Sequence, residues 1–569
     1  MKKILIITLL ILLAFISAPA QTKQEDLKRE VTLYNPYKPS LPEVKKRSFL
    51  PDVNDTAKIN PEFKYSITTK PYSPEYSISP IKAASLLPDP LPKLYKSYLN
   101  IGVGNYITPL AEVSVTNERS KKQAFGVYAR HFSTNGRIKL QNDKRVFAGY
   151  MDNDVSLFGK RFFRKNYLEG SVDYSQKARY AYGYDTSIVG YVPKNKDIRI
   201  GYNNLGAKAS FSSLNLDSAN FSYDFNFHYD LFFNGGDRYQ HNTGVSGTMS
   251  KIYKGFYAGS ELEFEYYNPS SVVFDKSKFI ASVSPFVKKN TPQWNFKLGF
   301  QMLLDKNIKS KTDFHLYPDV TFGFNIIPSY LSFSAGLNGK LEKNEPRKVI
   351  EENPFLVTDG SLFRLPNTNQ SLIITAGLHG NNGMGGNYLV SASYSLINDM
   401  LFFTNLVFPD SLQAPQMGNY FIPLTDDVDV MNIHGELTGL IGDKISYRGS
   451  ANWYNYTLTR NDYAWNRPDW DGRIAVKYNL RDKIVAGADL TATGKYRMIA
   501  TEYFTSPPPT TTVFKMPAHV NISLTGEYRY TKILSFWVKF NNISFNRYYE
   551  WAYYPSQRFL CMIGFTYSL

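Results

Sequence analysis

The residue types that carry out most protein chemistry are present in this 569-residue sequence, but they are not grouped in catalytic patterns. No Gly-x-Ser-x-Gly phrase marks an activated serine, and the glycine-rich stretch 380–387 precedes an alternating segment, not the helix that a phosphate cradle needs. Seven histidines are scattered along the chain with no spacing typical of metal ligands: His131, His228, His241, His315, His379, His434 and His519. We therefore expect no catalytic residue, no metal site and no cofactor, and we expect that the protein is not an enzyme.

Two stretches group carboxylates in or beside predicted outer loops, namely "MDNDVSLFG" (151–159) and "TDDVDV" (425–430). Hard oxygen ligands of this kind can hold calcium, but neither stretch has the full loop spacing with its distal glutamate. Solvated loop charges are the favoured interpretation, and a calcium site is the alternative.

Three charged residues near the carboxy terminus are predicted to share one face of a β-hairpin. Glu527, Arg529 and Lys539 alternate with apolar residues in the segments 520–530 and 534–541, which a short turn joins. Because successive side chains of a strand point to opposite faces, we expect these three residues to face the lumen of a barrel and to line its wall.

The element that must position such residues is a long strand, which is clearest in "FSYDFNFHYDLFFN" (221–234). An aromatic residue or a leucine occupies every odd position, which predicts a strand with one apolar and one polar face. A strand of about 14 residues tilted by about 40° rises on the order of 35 Å, whereas strands of soluble proteins average about 5 to 6 residues. The length favours an outer-membrane barrel over the alternative, a soluble β-sandwich.

The amino terminus has the features of a secretory signal peptide. Residues 1–20 carry two lysines, an apolar run and an Ala-Pro-Ala end, so we expect cleavage before Gln21. No later run of about 20 apolar residues occurs, which excludes helical spans, whereas half of the residues of a barrel strand are polar. The single cysteine, Cys561, cannot form an internal disulfide and is expected to be a small apolar residue of the last strand.

We divide the chain into a signal peptide (1–20), a proline-rich extended segment in the periplasm or the lumen (21–96) and an outer-membrane β-barrel (97–569). The middle segment holds eleven prolines and has no sustained period. In the barrel, short polar turns recur from 118–122 to 530–532 and alternate with longer links, the longest being about 344–369 and 397–427. This pattern predicts an all-β, antiparallel, up-and-down transmembrane barrel of about 22 strands with both termini in the periplasm.

The formal net charge of the chain is +16. Nucleic acid is not the expected partner, because the basic residues are scattered and the chain is exported. Three interpretations remain open: a lumen or rim that attracts anions, contact with the acidic headgroups of outer-membrane lipid, and a merely solvated basic surface.

The last strand is predicted to carry a signal for outer-membrane assembly. In "CMIGFTYSL" (561–569), Gly564 falls on the inner face, whereas Phe565, Tyr567 and Leu569 fall on the outer face. This pattern resembles the carboxy-terminal sorting signal of outer-membrane barrels, with Leu569 in the place of the usual terminal aromatic residue.

The last third of the chain also resembles the end of TonB-dependent receptors. The phrases "VKFNNISFNRYY" (538–549), "YPSQRF" (554–559) and "MIGFTYSL" (562–569) follow the order of the closing strands in that family, and 464–484 is similar to another strand-turn-strand phrase. The matching residues are Asn541, Asn542, Tyr548, Pro555, Arg558, Gly564 and Tyr567. The resemblance implies the binding of an unknown solute by the outer loops and lumen and its transport across the outer membrane.

The family's amino-terminal plug of roughly a hundred or more residues has no counterpart of that length before the predicted first strand, where about 75 proline-rich residues stand. We expect the lumen to be closed instead by folded-in loops, by the segment 21–96 or by a partner protein. "EVTLY" (30–34) is weakly similar to the family's energy-coupling box. The alternative function is a structural or assembly subunit of a larger outer-membrane complex, with 21–96 and the outer loops contacting other envelope proteins.

Overall fold

The computed structural model describes residues 95–117, 120–140, 143–183, 194–196, 198–214, 221–234, 238–270, 277–306, 311–356, 365–383, 385–407, 420–502 and 510–569. The predictions for the signal peptide (1–20), for the proline-rich segment up to residue 94 and for the "EVTLY" phrase lie outside the described residues.

The wall of the barrel consists of 22 strands. In chain order they are β1 (Ser97–Gly104), β2 (Thr108–Thr116), β3 (Gln123–Thr134), β4 (Tyr150–Phe162), β5 (Asn166–Tyr180), β6 (Arg199–Ser213), β7 (Ser222–Phe233), β8 (Tyr239–Tyr253), β9 (Phe256–Pro269), β10 (Lys278–Asn290), β11 (Trp294–Lys306), β12 (Thr312–Ile327), β13 (Leu331–Glu342), β14 (Thr368–Asn381), β15 (Asn387–Val407), β16 (Tyr420–Ile441), β17 (Ile445–Leu458), β18 (Trp470–Leu480), β19 (Ile484–Thr493), β20 (His519–Arg529), β21 (Leu534–Asn541) and β22 (Leu560–Ser568). One helix, α1 (Pro346–Glu352), lies in the β13–β14 link.

Among the described residues of the links, three small hairpins do not belong to the wall. Arg137–Lys139 pairs with Arg145–Phe147 in the β3–β4 link, and Tyr549–Trp551 pairs with Tyr554–Pro555 in the β21–β22 link. The third hairpin, 496–516, follows β19, and its first strand adds to the end of β15 in parallel. All three are on the side of the barrel that carries the longer links.

The sheet closes because its first and last strands pair. β1 runs antiparallel to β22, from Tyr98 opposite Ser568 to Gly104 opposite Met562. Next to this ladder, the backbone of Ser97 exchanges two hydrogen bonds of 2.9 Å with that of Leu569. A closed sheet leaves no unpaired edge, which is the condition for a β-structure to span hydrocarbon. The predicted antiparallel 22-stranded barrel is therefore confirmed.

Ten short turns connect successive strands at one end of the barrel, from β2–β3 to β20–β21, as the sequence predicts. The β8–β9 turn is a two-residue turn in which Lys254 and Gly255 have φ values of 48° and 78°. Left-handed conformations at both positions match the twist of the flanking strands, so the turn can be this short. Ser97 and Leu569 lie at the same end, since β1 begins beside the last residues of β2.

Among the described residues, the outer face of the barrel carries exposed apolar side chains. Phe227 of β7, Val245 of β8 and Leu298 of β11 are 44%, 48% and 59% exposed. The opposite face carries polar side chains that bond to one another, such as Ser212 of β6, whose hydroxyl donates to Asp224 of β7 at 2.6 Å. An apolar exterior and a polar interior are what a barrel in lipid requires. No helix in the described ranges is long and apolar enough to cross a membrane.

The link between β15 and β16 is shorter than the predicted 397–427, because β15 continues to Val407 and β16 begins at Tyr420. Leu401, Phe402 and Phe403 are buried in succession, with 6%, 0% and 1% of their surface exposed. Protein covers both faces of the strand at this height, so the alternation that marks a membrane strand is lost. The other long link, predicted at 344–369, is present between β13 and β14.

Candidate functional site at the mouth of the barrel

At the end opposite the short turns, several links fold inward and bury one hydrophobic cluster, which we call the loop cap. Its buried residues come from the β5–β6 link, the mouth ends of β6 and β7, the β13–β14 link, the upper parts of β15 and β16, the hairpin 496–516 and the β21–β22 link. Leu356, Phe421 and Ala552 are among those with almost no exposed surface. Since these links start from widely separated strands, they can meet only by crossing the mouth.

Tyr554 lies at the centre of the loop cap. Its ring stacks on Phe355 with 3.9 Å between ring centroids and approaches Tyr182 at 4.9 Å. The Tyr182 hydroxyl donates a hydrogen bond of 2.9 Å to the carbonyl oxygen of Pro555. A Cβ atom at Gly183 would lie 2.4 Å from the Tyr554 ring, so this position has no room for a side chain. These contacts join the β5–β6, β13–β14 and β21–β22 links to one another.

Helix α1 is part of the loop cap and is held against the inner wall by ion pairs. Three pairs reach β7, β5 and the β17–β18 link, namely Arg347–Asp230 (3.1 Å), Glu351–Lys177 (3.5 Å) and Glu352–Arg467 (2.7 Å), and a fourth joins Lys348 to Glu342 at the end of β13. Each pair is partly exposed and contributes about 0 to 1 kcal/mol. The polar side of the helix is therefore held weakly from four directions, while Val349 and Ile350 anchor its apolar side in the cluster.

A cavity of about 430 Å³ lies beneath the loop cap. Its wall is formed by the mouth ends of β4, β5, β20, β21 and β22 and by the β3–β4, β5–β6, β13–β14 and β21–β22 links. Aromatic residues supply much of the lining, and the remaining residues are mostly polar: Tyr150, Tyr182, Phe355, Tyr548, Arg179, Asn521, Asn541, Glu550, Ser556 and Gln557. Aromatic walls with a few polar groups in a cavity of this size are typical of a small-molecule site.

Glu550 is the acid that faces this cavity. It lies between Tyr549 and Trp551 in a short strand, and the Trp551 ring packs 5.4 Å from both Phe403 and Phe421 in the loop cap. Because side chains alternate along a strand, Glu550 points the other way, into the cavity. The Glu550 side chain is exposed to the space of the cavity. Desolvation by the protein around it raises the pKa of the Glu550 carboxyl.

Arg179 is the cation on the facing wall, and it opposes the rise in the pKa of Glu550. Its guanidinium is already bound, because Nη1 lies 2.7 Å from Oδ1 of Asp152 and donates to the backbone carbonyl oxygen of Ala178 at 3.0 Å. The guanidinium also lies 5.3 Å from the centre of the Tyr150 ring. Arg179 and Asp152 thus form a neutral pair within the wall.

Of the three charged residues that the sequence predicts to face the lumen, Glu527 and Arg529 lie near the β20–β21 turn, whereas Lys539 lies two residues before Asn541 of the cavity wall. Arg529 Nε is 3.1 Å from Oε1 of Glu527, and Lys539 Nζ lies 4.8 Å from the centre of the Trp537 ring. All three are on the face opposite the exposed apolar residues of β20 and β21. Glu527 and Lys539 border a second cavity of about 710 Å³. Their assignment as residues that line a solute path stays a prediction.

The residues of the predicted sorting signal form part of the closing seam. Gly564 pairs with Gly102 across β22 and β1, and the indole of Trp537 covers both glycines. The indole N–H donates a hydrogen bond of 2.8 Å to Oδ1 of Asn100. Phe565, Tyr567 and Leu569 are the other residues of the signal, and their recognition by the assembly machinery stays a prediction.

The carboxylates of the two acidic stretches are satisfied by protein groups. Asp426 is fully buried and accepts hydrogen bonds from the backbone N–H of Arg460 (3.0 Å) and of Asn461 (2.7 Å), and Asp152 binds Arg179. The interpretation of these two aspartates as solvated loop charges is therefore wrong. Within the described ranges, no group of three or more His, Cys, Asp or Glu residues is placed to hold a metal ion.

The sequence itself matches no family model, and no curated protein matches it. Solved structures do share its fold. The FrpB iron transporter from Neisseria meningitidis superimposes with a TM-score of 0.61 at 10% identity, over 84% of this chain and 82% of that chain. The pyoverdine outer membrane receptor FpvA from Pseudomonas aeruginosa gives a TM-score of 0.60 at 10% identity, over 84% and 79%. The siderophore receptor PiuA from Acinetobacter baumannii gives 0.56 at 12%, over 84% and 82%.

The chain therefore has the 22-stranded barrel fold of TonB-dependent receptors, as its carboxy-terminal motifs predict. The closed barrel, its apolar exterior and this shared fold place it in the outer membrane. At 10% to 12% identity the likeness concerns the fold and leaves the solute open.

The sequence motifs mark three residues that line the cavity, Asn541, Asn542 and Tyr548, but they do not mark Glu550. Glu550 stands in "YYEWAYY" (548–554), a segment predicted to be a link between the last two strands. The other six residues of this segment are aromatic or alanine, which is unusual for a solvated loop. This high content of apolar residues is the feature of the sequence that could have indicated a buried segment. Arg179 and Tyr150 fall on ordinary strand positions, and nothing in the local pattern distinguishes them.

Proposed function

We propose that the chain is a gated outer-membrane protein that binds a solute at the mouth of its barrel and passes it through the lumen. The observation that carries the proposal is the loop cap, which crosses the mouth above a cavity lined by aromatic and polar groups. The names of the structural neighbours, an iron transporter, a pyoverdine receptor and a siderophore receptor, support transport of a solute. They do not define the solute of this chain.

The construction of the loop cap supports a moving gate. Its centre is an aromatic cluster, which resists opening, whereas α1 is held on the wall by partly exposed ion pairs. The ion pairs of α1 are weak and are screened by salt, with a screening length of about 10 Å at an ionic strength of 0.1 M. A solute that displaces α1 from the wall therefore meets a smaller barrier than one that must separate the whole cluster.

Conductance of the purified full-length chain in planar bilayers tests this proposal. The variant Arg347→Ala/Glu351→Ala/Glu352→Ala removes the three ion pairs that join α1 to β7, β5 and the β17–β18 link, and we expect it to increase the open time severalfold over that of the wild type. The matched control is Lys160→Ala/Glu169→Ala, which removes an ion pair of 2.9 Å outside the loop cap, next to the β4–β5 turn. If neither the wild type nor the α1 variant conducts ions or admits solute into liposomes, the transport proposal is wrong.

The alternative proposal is that the chain is a subunit of a larger envelope complex. It is supported by the end of the barrel at which the first strand begins. The Tyr95 hydroxyl donates a hydrogen bond of 3.2 Å to the carbonyl oxygen of Lys532 in the β20–β21 turn, so the barrel begins at its short-turn end. That end faces the periplasm in the predicted orientation, and in this proposal the segment 21–96 contacts partner proteins there. A pull-down from native membranes in mild detergent tests this alternative, and recovery of this chain alone would refute it.

A further inference from the structure

The cavity beneath the loop cap contains an acid without a counterion. Among the residues that the structure describes, none donates a hydrogen bond to the Glu550 carboxylate or forms an ion pair with it. The nearby Arg179 guanidinium is bound to Asp152. The Glu550 side chain lines the cavity and is accessible within it, so its carboxylate can pair with a positively charged ligand that enters. The attraction grows as the ligand displaces water from the cavity, because the local dielectric constant falls.

Other polar groups of the cavity also lack hydrogen-bond partners of good geometry. Three buried atoms have no hydrogen-bond partner: Oδ1 of Asn521, Oγ of Ser556 and Nε2 of Gln557. Asn521 and Ser556 both lie near the Tyr548 hydroxyl. Ser556 is only 6% exposed. Two of these groups can accept a hydrogen bond and Gln557 can donate one, so the complementary ligand carries N–H donors and at least one oxygen acceptor.

The walls of the cavity favour a cation with an apolar body. Tyr150, Tyr182, Phe355 and Tyr548 contribute aromatic rings to the lining. The negative face of an aromatic ring attracts an ammonium group. This attraction is worth about 0.5 kcal/mol at an exposed site and about 2 kcal/mol at a desolvated one. The volume of about 430 Å³ holds an organic molecule of moderate size and far exceeds the space of one or two waters.

We propose that this cavity binds an organic amine, with Glu550 as the counterion of its ammonium group and the aromatic walls around its apolar part. The proposal rests on the proposed function, since it assigns the chemical class of the solute that the loop cap encloses. It gives the chain a specificity-determining residue, Glu550, which the sequence motifs do not mark.

Two matched probes test the proposal by calorimetric titration of the purified full-length chain in detergent. Tyramine carries a phenol and an ammonium group, whereas in tyrosol a neutral hydroxyl replaces the amine. We expect tyramine to bind about tenfold or more tightly than tyrosol, and Glu550→Gln to remove this difference while leaving the affinity for tyrosol unchanged. Equal affinity of the wild type for both probes, or an unchanged preference in Glu550→Gln, would overturn the proposal, and so would the absence of tyramine binding.

Two further variants keep the result interpretable. Glu550→Asp retains the charge on a shorter side chain, so it should keep part of the preference for tyramine if the loop cap is intact. Glu169→Gln removes an acid that is paired with Lys160 outside the loop cap, and its probe affinities should equal those of the wild type. The thermal unfolding midpoint of each variant shows whether the barrel is folded.

The outcome is separable from that of the transport proposal. A chain that conducts in bilayers but does not prefer tyramine retains the proposed function and loses the amine assignment. A chain that binds tyramine through Glu550 but neither conducts nor admits solute retains the binding site and loses the transport role.

Discussion

The closing seam of the barrel allows a quantitative test through a double-mutant cycle between Trp537 and Gly102. Trp537 lies on the inner face of β21, 8% exposed, and its indole covers Gly102 of β1. A Cβ atom built at Gly102 would lie 2.4 Å from the end of the indole ring, and its next contact outside that ring is the carbonyl oxygen of Ile563 at 3.2 Å. The indole is thus the main obstacle to a side chain at residue 102.

The expected changes in the free energy of unfolding follow from the packing and the hydrogen bond that Trp537→Ala removes and from the steric overlap that Gly102→Ala creates. Trp537→Ala removes a buried aromatic side chain, at a cost of about 3–5 kcal/mol, and leaves Oδ1 of the buried Asn100 without its donor, at about 1–3 kcal/mol. Gly102→Ala overfills the seam at a cost of about 1–3 kcal/mol when Trp537 is present. In the Trp537→Ala background the same substitution should cost less than about 1 kcal/mol, so the two effects should differ from additivity by about 1–2 kcal/mol.

Urea unfolding of the four proteins in detergent, followed by circular dichroism, measures the cycle. Gly564→Ala is the matched control, because its Cβ would lie 2.3 Å from the indole and equally 2.3 Å from the backbone oxygen of Ile101. Its cost should persist after Trp537→Ala, since backbone cannot move aside. Additive effects of Gly102→Ala and Trp537→Ala, or equal relief at both glycines, would refute the packing described for the seam.

Three further predictions concern the loop cap. Tyr554→Ala removes the central ring, about 3–5 kcal/mol of packing, and should raise bilayer conductance, whereas Tyr554→Phe keeps the stack and should conduct like the wild type; equal conductance would contradict the gating role. Tyramine affinity should rise with pH through the raised pKa of Glu550, because only the carboxylate pairs with the ammonium, and a flat profile in calorimetry would contradict this. Burial raises the pKa of the tyrosines that face Glu550, so they stay neutral below about pH 9, and the Arg179 guanidinium is bound to Asp152; these tyrosines are Tyr150, Tyr182, Tyr496 and Tyr548. Asp426→Ala leaves the backbone donors of Arg460 and Asn461 unpaired and should expose the 459–469 link to limited proteolysis, with the turn variant Asp443→Ala as the unaffected control; equal resistance of both variants would show that Asp426 does not hold this link.

The membrane-embedded part of the fold could be predicted from local sequence. Between the short turns and the mouth, one face of each strand meets hydrocarbon and the other meets polar groups, so residues alternate as in β7 and β8. The count of 22 strands follows from this alternation and from the short polar turns. At the mouth the rule fails: Leu401, Phe402 and Phe403 are buried in succession, because protein covers both faces there.

The candidate site could not be predicted in the same way. Its contacts join residues that are far apart in the chain, such as Tyr182 and Pro555, which are separated by 373 positions. Nothing in the segment 548–554 indicates that Glu550 faces Arg179, or that Arg179 is neutralised by Asp152. The density of aromatic residues around Glu550 could have indicated a buried link, but not its partners.

The sequence by itself determined the strands, their number and their inward and outward faces, because each is set by the solvent that a strand meets, lipid or a polar lumen, and that solvent imposes a two-residue period. Only the tertiary structure decided which links cross the mouth, where the cavity lies and which acid faces it without a counterion. Those features depend on long-range packing of irregular segments, and such packing leaves no periodic trace in the sequence.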